Sequence, residues 1–240
     1  MQQGSHRGDK QPRAANVDNQ FRQWHCSPGE VMLGALRKSG FEITDDHESS
    51  DAIIVNTCTF VSDAKSESLE AILEAASLCK DNPEKRLIVT GCMAQRYAHD
   101  LAVELPEVDA FMGFDSYGKL SQQLDDLMDG NDKDRNTVPR VLVGSASPPF
   151  RSEVDRVRLM PPHSAYLRVA EGCDHACSFC AIPSFRGKFR SKDFSAIVEE
   201  AKTLVAAGAV ELNIIAEDTN QWGYDQCAPL SLLQYSLPGM

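Results

Sequence analysis

The chain has 240 residues, 42% of them hydrophobic, enough to bury the core of one large domain or two ordinary ones. Its 24 Lys and Arg against 35 Asp and Glu give a net charge of −11, which argues against broad, non-specific attachment to nucleic acid. No run of about 18 apolar residues occurs and the start of the chain lacks the apolar core of a secretory signal, so neither a membrane nor export is expected and cytoplasm is the default.

Residues 1–25 are polar and aperiodic, with Gly4, Gly8 and Pro12, and are expected to be disordered. Arg7, Lys10, Arg13 and Arg22 outnumber Asp9 and Asp18 there, which leaves a plastid or mitochondrial address as the alternative to cytoplasm. From Glu30 onward, Val31, Leu33 and Leu36 with Gly40 as a stop predict a short helix. The apolar run at 51–58 reads as a buried parallel strand entering a loop at Cys58. A helix follows over 64–80, with Ala64, Leu69, Ile72, Leu73, Ala76 and Leu78 as its apolar face and Asn82-Pro83 as its end. Residues 86–92 repeat the strand-to-loop pattern, with Cys92 in the loop and a helix over 94–105. A weaker third unit runs from Val108 through Gly113 into a helix over 116–128. Three strand–helix units in a row predict an α/β domain over 26–130, a parallel sheet with covering helices.

Residues 129–149 are rich in Asp, Asn, Gly, Ser and Pro without apolar period, so a linker is expected over 131–158 and a second domain over 159–240. That domain opens with a strand at 165–170, then a cysteine-bearing loop. Asp193 has the place of an N-cap for a helix carrying Phe194, Ile197, Val198, Ala201, Leu204 and Val205, closed by Gly208 and followed by a strand at 210–216.

Eight cysteines without an export signal point to metal binding or catalysis before disulfides. Cys173, Cys177 and Cys180 stand in a C-x3-C-x2-C loop. Three thiolates on a 4Fe–4S cluster leave one iron open, and in this arrangement the open iron usually takes S-adenosylmethionine, which is cleaved reductively to a carbon radical. The competing reading is a zinc loop with His175 as fourth ligand. Such sites pair two C-x2-C knuckles, and no second knuckle lies nearby. Glu217 and Asp218 follow the 210–216 strand, where ligands of parallel α/β folds bind, and suit the amino group or ribose of a nucleoside cofactor; a plain helix cap is the alternative. Cys58 and Cys92 each lie just past a predicted parallel strand, so one cluster shared between them competes with two ordinary buried cysteines. Between Arg151 and Lys192 basic residues exceed acidic ones, which reads either as a solvated surface or as a dock for an anionic partner.

Together these segments resemble the radical S-adenosylmethionine methylthiotransferases. The resemblance rests on residues 29–34 (Gly-Glu-Val-Met-Leu-Gly), 54–58 (Ile-Val-Asn-Thr-Cys), 63–68 (Asp-Ala-Lys-Ser-Glu-Ser), 89–93, 165–168, 171–173, 177–183 and 185–187, and runs almost without a gap from Gly29 to Asp225. It implies a parallel-sheet methylthiotransferase domain followed by the start of a radical S-adenosylmethionine (β/α) partial barrel. It further implies two 4Fe–4S clusters and S-adenosylmethionine, with Cys173, Cys177 and Cys180 on the radical cluster, Phe179, Glu217 and Asp218 at the cofactor, and an auxiliary cluster on Cys58, Cys92 and a third cysteine. Residues 63–68 and 216–219 are similar to the RimO branch, a transferase of sulfur-containing groups acting on the β-carbon of an aspartate in a small-subunit ribosomal protein. The tRNA-modifying MiaB branch is the alternative. A reductant such as flavodoxin or ferredoxin, and ribosomal RNA, are the further partners implied.

Two departures from the family pattern bear on this reading. The family's first cysteine follows an opening strand, whereas here Cys26 stands at a different offset with no apolar strand before it. Either Cys26 is the third auxiliary ligand or only Cys58 and Cys92 remain and the cluster is labile. A six-unit partial barrel needs on the order of 190 residues. The stretch from Ser164 to Met240 holds roughly two units at about 30 residues each. The rest of the barrel and a terminal RNA-binding-type domain are therefore expected to be missing, and the chain alone is expected to be inactive, a bare iron–sulfur binder.

Overall fold

The structure is a computed structural model, and it describes residues 13–18, 27–129, 140–150, 153, 155–159 and 161–226. The chain divides into two compact units, one formed by residues 1–145 with 155–159, the other by 146–154 with 160–240.

The first unit runs β1 (Ala14–Asp18), α1 (Ser27–Lys38), β2 (Glu42–Ile43), β3 (Ala52–Thr57), α2 (Ser62–Lys80), β4 (Arg86–Gly91), α3 (Cys92–Glu104), β5 (Ala110–Met112), a 3-10 turn, α4 (Leu120–Asp129) and β6 (Arg140–Leu142). Its strands form one parallel sheet in the order β2-β1-β3-β4-β5-β6. Successive strand residues point to opposite faces, and both faces are covered. On one side Ile53, Val55, Leu87, Val89 and Phe111 pack against Ala71, Ile72 and Ala75 of α2 and Met93, Ala94 and Ala98 of α3. On the other, Ala52, Ile54, Ile88, Ala110 and Met112 meet Met32 and Leu36 of α1 and Leu120 and Leu124 of α4. This is why β3 and β4 read as unbroken apolar runs instead of alternating ones.

Three sequence expectations are corrected. The stretch expected to be disordered contains β1, which inserts between β2 and β3. Its Ala-Ala-Asn-Val-Asp sequence carries little apolar signal, and it is held by its neighbours: Asp51 N–H donates to Ala14 O at 2.8 Å, Ala14 N–H to Asp51 Oδ2 at 2.7 Å, and the Asn16 amide to Thr44 O at 2.8 Å. The expected linker contains β6, a three-residue edge strand whose Val141 and Leu142 pair with Phe111 and Met112. On α2 the buried face is Ala64, Ser68, Ala71, Ile72, Ala75 and Cys79, while Leu69 and Leu73 are exposed. Small residues let the helix lie close to the sheet, and the leucines turn away from it.

A further part of the expected linker packs on α1. Glu30 is buried, accepts the Leu159 N–H on Oε1 at 2.8 Å, and lies 3.6 Å from Arg156 Nε; the Glu30 carbonyl accepts the Val157 N–H at 3.0 Å. A Cβ at Gly34 would lie 2.2 Å from Asp155 O, so only glycine allows this approach.

The second unit runs β7 (Ser164–Arg168), β8 (Ala170–Glu171), α5 (Ile182–Arg186), β9 (Arg190–Ser191), α6 (Phe194–Ala206) and β10 (Glu211–Ile215). β7 and β10 are parallel, joined by α6 as a crossover, with Ser164 opposite Glu211 and Arg168 opposite Ile215. Asp193 caps α6 by accepting the Ser195 N–H at 3.1 Å, and Gly208 follows the helix at φ +95°. Ala165, Leu167, Leu204 and Ala209 are buried together with Ile197, Ala201 and Leu212 against them, whereas Phe194 and Val205 of the expected apolar face are exposed. β8 and β9 pair antiparallel. Among the described residues no helix is long and apolar enough to cross a membrane.

Candidate metal centre

In the first unit Cys58 is the residue after β3 and Cys92 the residue after β4, the first of α3. Thr57 is opposite Gly91 in the parallel register, so the two cysteines leave the sheet from adjacent strand ends, where neighbouring strands run about 4.8 Å apart. Gly91 has φ +96°, and a Cβ there would lie 2.3 Å from Thr57 O. That glycine sets the close approach. Two hydroxyls cross-tie the strand ends: Thr57 Oγ1 donates to Thr90 O at 2.5 Å and Thr90 Oγ1 to Met112 O at 3.1 Å. Ser68 of α2 clamps the cysteine's own backbone, its Oγ accepting the Cys58 N–H at 2.9 Å and donating to Cys58 O at 3.2 Å. Both cysteines are half-buried. Cys26 lies outside the described residues. Sequence reasoning missed Ser68 as a site residue, although it closes the Asp-Ala-Lys-Ser-Glu-Ser stretch.

In the second unit Cys173, Cys177 and Cys180 occupy a loop outside helix and strand that leaves β8 and leads to α5. Cys173 is buried, Cys180 half-buried and Cys177 exposed, and none of the three is in a disulfide. The loop is tied at several points. Gly172, at φ +79°, sits so close that a Cβ would lie 2.2 Å from Lys188 O; its N–H donates to Glu217 Oε2 at 3.1 Å. The Cys173 N–H donates to Gly187 O at 3.2 Å, the Phe189 N–H to Asp174 Oδ1 at 3.0 Å, and the Cys180 N–H to Cys177 O at 3.0 Å.

Both acids proposed from sequence for the cofactor are engaged with this loop or its neighbours. Glu217 holds the Gly172 N–H and lies 3.6 Å from Arg186 Nε. Asp218 Oδ2 is 2.7 Å from His175 Nε2 and accepts from Gln221 at 3.0 Å, while Oδ1 accepts the Asn220 N–H at 2.9 Å. The His175 bond, with the Asn220 N–H next, holds the Asp218 carboxyl below its usual range. His175 thus has a structural partner. Phe179 is 90% exposed.

Below the loop Glu171 joins three arginines: Arg168, Arg190 Nη2 at 2.9 Å and Arg186 Nη1 at 3.9 Å. Arg168 also bonds Glu153, its Nε donating at 3.0 Å. Burial works against the Arg168 charge, but Glu171 and then Glu153 more than offset it and raise its pKa further. Lys192 is buried between Glu200 and Glu153. Arg168, Arg186, Arg190 and Lys192 of the basic stretch are therefore directed onto these carboxylates.

Among the described residues no three His, Cys, Asp or Glu side chains are gathered closely enough to hold a metal ion. The chemistry of the donor sets nonetheless suits iron–sulfur clusters: three thiols on one loop in the second unit, and two thiols at adjacent strand ends in the first.

Residues 25–113 match the sequence profile described as Uncharacterized protein family UPF0004. The chain is 43% identical over 198 residues to the ribosomal protein uS12 methylthiotransferase RimO of Geobacter sulfurreducens, a match covering 82% of this chain and 42% of that protein. The RimO proteins of Sulfurihydrogenibium sp. and Myxococcus xanthus are 44% and 42% identical over 82% of the chain, covering 40% and 39% of their own lengths. Over these residues the chain is similar to the RimO methylthiotransferases. It spans about two-fifths of the length of the RimO proteins it matches. Wherever a 198-residue match begins in a chain of 240, it includes residues 43–198, so the RimO similarity takes in Cys58, Cys92, Cys173, Cys177 and Cys180 alike.

Proposed function

We propose that this chain provides the two cluster-binding regions of a radical S-adenosylmethionine methylthiotransferase of the RimO type, which places a methylthio group on the β-carbon of an aspartate in ribosomal protein uS12. The observation that carries the reading is the C-x3-C-x2-C loop tied to the carboxyl end of β10 through Gly172–Glu217 and His175–Asp218. A 4Fe–4S cluster with an open iron supplies one-electron cleavage of S-adenosylmethionine to a carbon radical, the chemistry needed where the target carbon has no acidic proton.

In this reading Cys173, Cys177 and Cys180 are the ligands of the radical cluster, and the domain over 159–240 is the beginning of its barrel, following a linker from 131. Glu217 and Asp218 fix the loop in place, and Phe179, exposed beside Cys180, is available to cover the cofactor. Cys58 and Cys92 hold the auxiliary cluster that carries the sulfur to be transferred, with Cys26 as the third ligand. Ser68 and Gly91 keep Cys58 and Cys92 at adjacent strand ends. The protein substrate is uS12, the electron donor a flavodoxin or ferredoxin, ribosomal RNA a contact of the substrate complex, and the compartment the cytoplasm.

The test is anaerobic reconstitution with iron and sulfide, followed by dithionite and S-adenosylmethionine. A change in the cluster's spectrum on adding S-adenosylmethionine, lost in Cys177→Ala, is the expected result. A reconstituted, iron-loaded chain whose spectrum does not respond to S-adenosylmethionine contradicts the radical assignment.

A further inference from the structure

Arg186 is the last residue of α5, the helix that follows the C-x3-C-x2-C loop, and its guanidinium meets two carboxylates at the place where that loop begins. Its Nη1 lies 3.9 Å from Glu171 Oε1 and its Nε 3.6 Å from Glu217 Oε1. Glu171 and Gly172 directly precede Cys173, and the other oxygen of Glu217 accepts the Gly172 N–H at 3.1 Å. The residue after Arg186, Gly187, accepts the Cys173 N–H on its carbonyl at 3.2 Å. Side chain and backbone thus both place Arg186 beside the first cysteine of the loop, the one through the two acids, the other through Gly187. The side chain of Arg186 is 18% exposed and those of Glu171 and Glu217 are 14% and 19% exposed, so water and salt screen these charges only in part.

We infer that Arg186 sets the reduction potential of the cluster held by Cys173, Cys177 and Cys180, by keeping a positive charge against Glu171 and Glu217 at the start of the ligand loop. The inference rests on the radical-cluster reading above. Reduction adds one negative charge to a cluster that three thiolates already make anionic. A cation nearby therefore favours the reduced state and raises the potential, and a carboxylate nearby lowers it. The effect acts through the field of the charge and needs no contact with a cluster sulfur. Arg186 and Glu217 pull in opposite senses from neighbouring positions. Loss of the guanidinium takes one of three arginines from Glu171 and leaves the Glu217 charge less neutralised. Arg186 is a tuning residue, not a ligand.

The experiment uses the full chain carrying Cys58→Ala and Cys92→Ala, so that only the radical cluster is seen. Iron is counted after anaerobic reconstitution, and the midpoint potential is read by EPR-monitored titration at fixed pH without S-adenosylmethionine. Arg186→Gln removes the positive charge and Arg186→Lys keeps it. Glu217→Gln removes the opposing charge while retaining an oxygen for the Gly172 N–H. The expected result, at unchanged iron content, is a more negative midpoint in Arg186→Gln, the starting value in Arg186→Lys and a more positive midpoint in Glu217→Gln. A residue that merely braced the loop would not move the midpoint in opposite senses according to charge. If Arg186→Gln loses iron, Arg186→Met is read in its place. Equal midpoints in all variants, or a shift in Arg186→Lys as large as that in Arg186→Gln, overturn this inference alone. No iron bound by the Cys58/Cys92 variant overturns the radical cluster as well.

Discussion

His175 Nε2 and Asp218 Oδ2 lie 2.7 Å apart and join the middle of the C-x3-C stretch to the segment that follows β10, 43 residues later. With the Gly172–Glu217 bond, this fixes the loop at two points to the carboxyl end of one strand. The acids that sequence position marked for the cofactor thus act first on the ligand loop. A loop held at both points loses less freedom on gathering its three thiols around a cluster.

Asp218→Ala is predicted to loosen that loop while leaving all three cysteines in place. Loss of a group that orients a metal ligand typically weakens retention by about 10-fold or more. The reconstituted variant should bleach correspondingly faster in a chelator, with Asp218→Asn, which keeps one acceptor toward His175, in between. Equal bleaching rates for all three proteins would refute the latch.

Glu171 is predicted to be the most sensitive acid of the second unit. Glu171→Ala removes the carboxylate shared by Arg168, Arg186 and Arg190 and leaves Arg168, mostly buried, with Glu153. Breaking such a pair by deleting one partner costs about 3 kcal/mol. Denaturant unfolding of the second unit's signal, Trp222 fluorescence, reads the loss. A change within about 0.5 kcal/mol, the size expected of an ordinary surface substitution, would show that the network is peripheral.

Gly34→Ala is predicted to push residues 155–159 off α1, because the added Cβ would meet Asp155 O at 2.2 Å. Overpacking of this kind costs about 1–3 kcal/mol. Amide exchange at Val157 and Leu159, both donors to Glu30, should accelerate while that of β3 and β4 stays unchanged. Protection retained at both amides would contradict the packing.

Asp225 gives a pH dependence with a defined sign. Burial works to raise its pKa, but the Ser191 hydroxyl and N–H bonded to it outweigh that and leave it lowered. A carboxyl whose folded pKa is depressed stabilises fully above its unfolded value, about 3.9, and the contribution fades as pH falls through the folded value. Stability of the second unit should therefore fall on acidification below about pH 4 in part through Asp225. Asp225→Asn should be less stable at neutral pH and flatter in that window. A melting curve of the same pH slope in both proteins would remove Asp225 from the account.

The strands and helices with strong apolar signal were legible in sequence: β3, β4, α3 and α6 fall where their patterns put them. β1 was not, because two alanines and an asparagine give no run, and the strand exists only through ladders formed with β2 and β3. β6 was hidden for the same reason at the other edge. The α2 face was misread because hydrophobicity marks Leu69 and Leu73, whereas close approach to the sheet selects Ala71 and Ala75. Within the candidate site the cysteine spacing was visible, and so was the place of Cys58 and Cys92 at strand ends. Ser68 and the His175–Asp218 bond were not, since both depend on which residues distant in sequence the fold brings together.

The most direct test of the central claim, that two separate cysteine sets each hold an iron–sulfur cluster, is iron and sulfide per chain after anaerobic reconstitution. It is measured in the unaltered chain, in Cys58→Ala/Cys92→Ala and in Cys173→Ala/Cys177→Ala/Cys180→Ala. The account predicts about eight irons in the first and about four in each variant, as two 4Fe–4S clusters require. Iron that vanishes from both variants, or that stays near the unaltered chain's content in both, would contradict it.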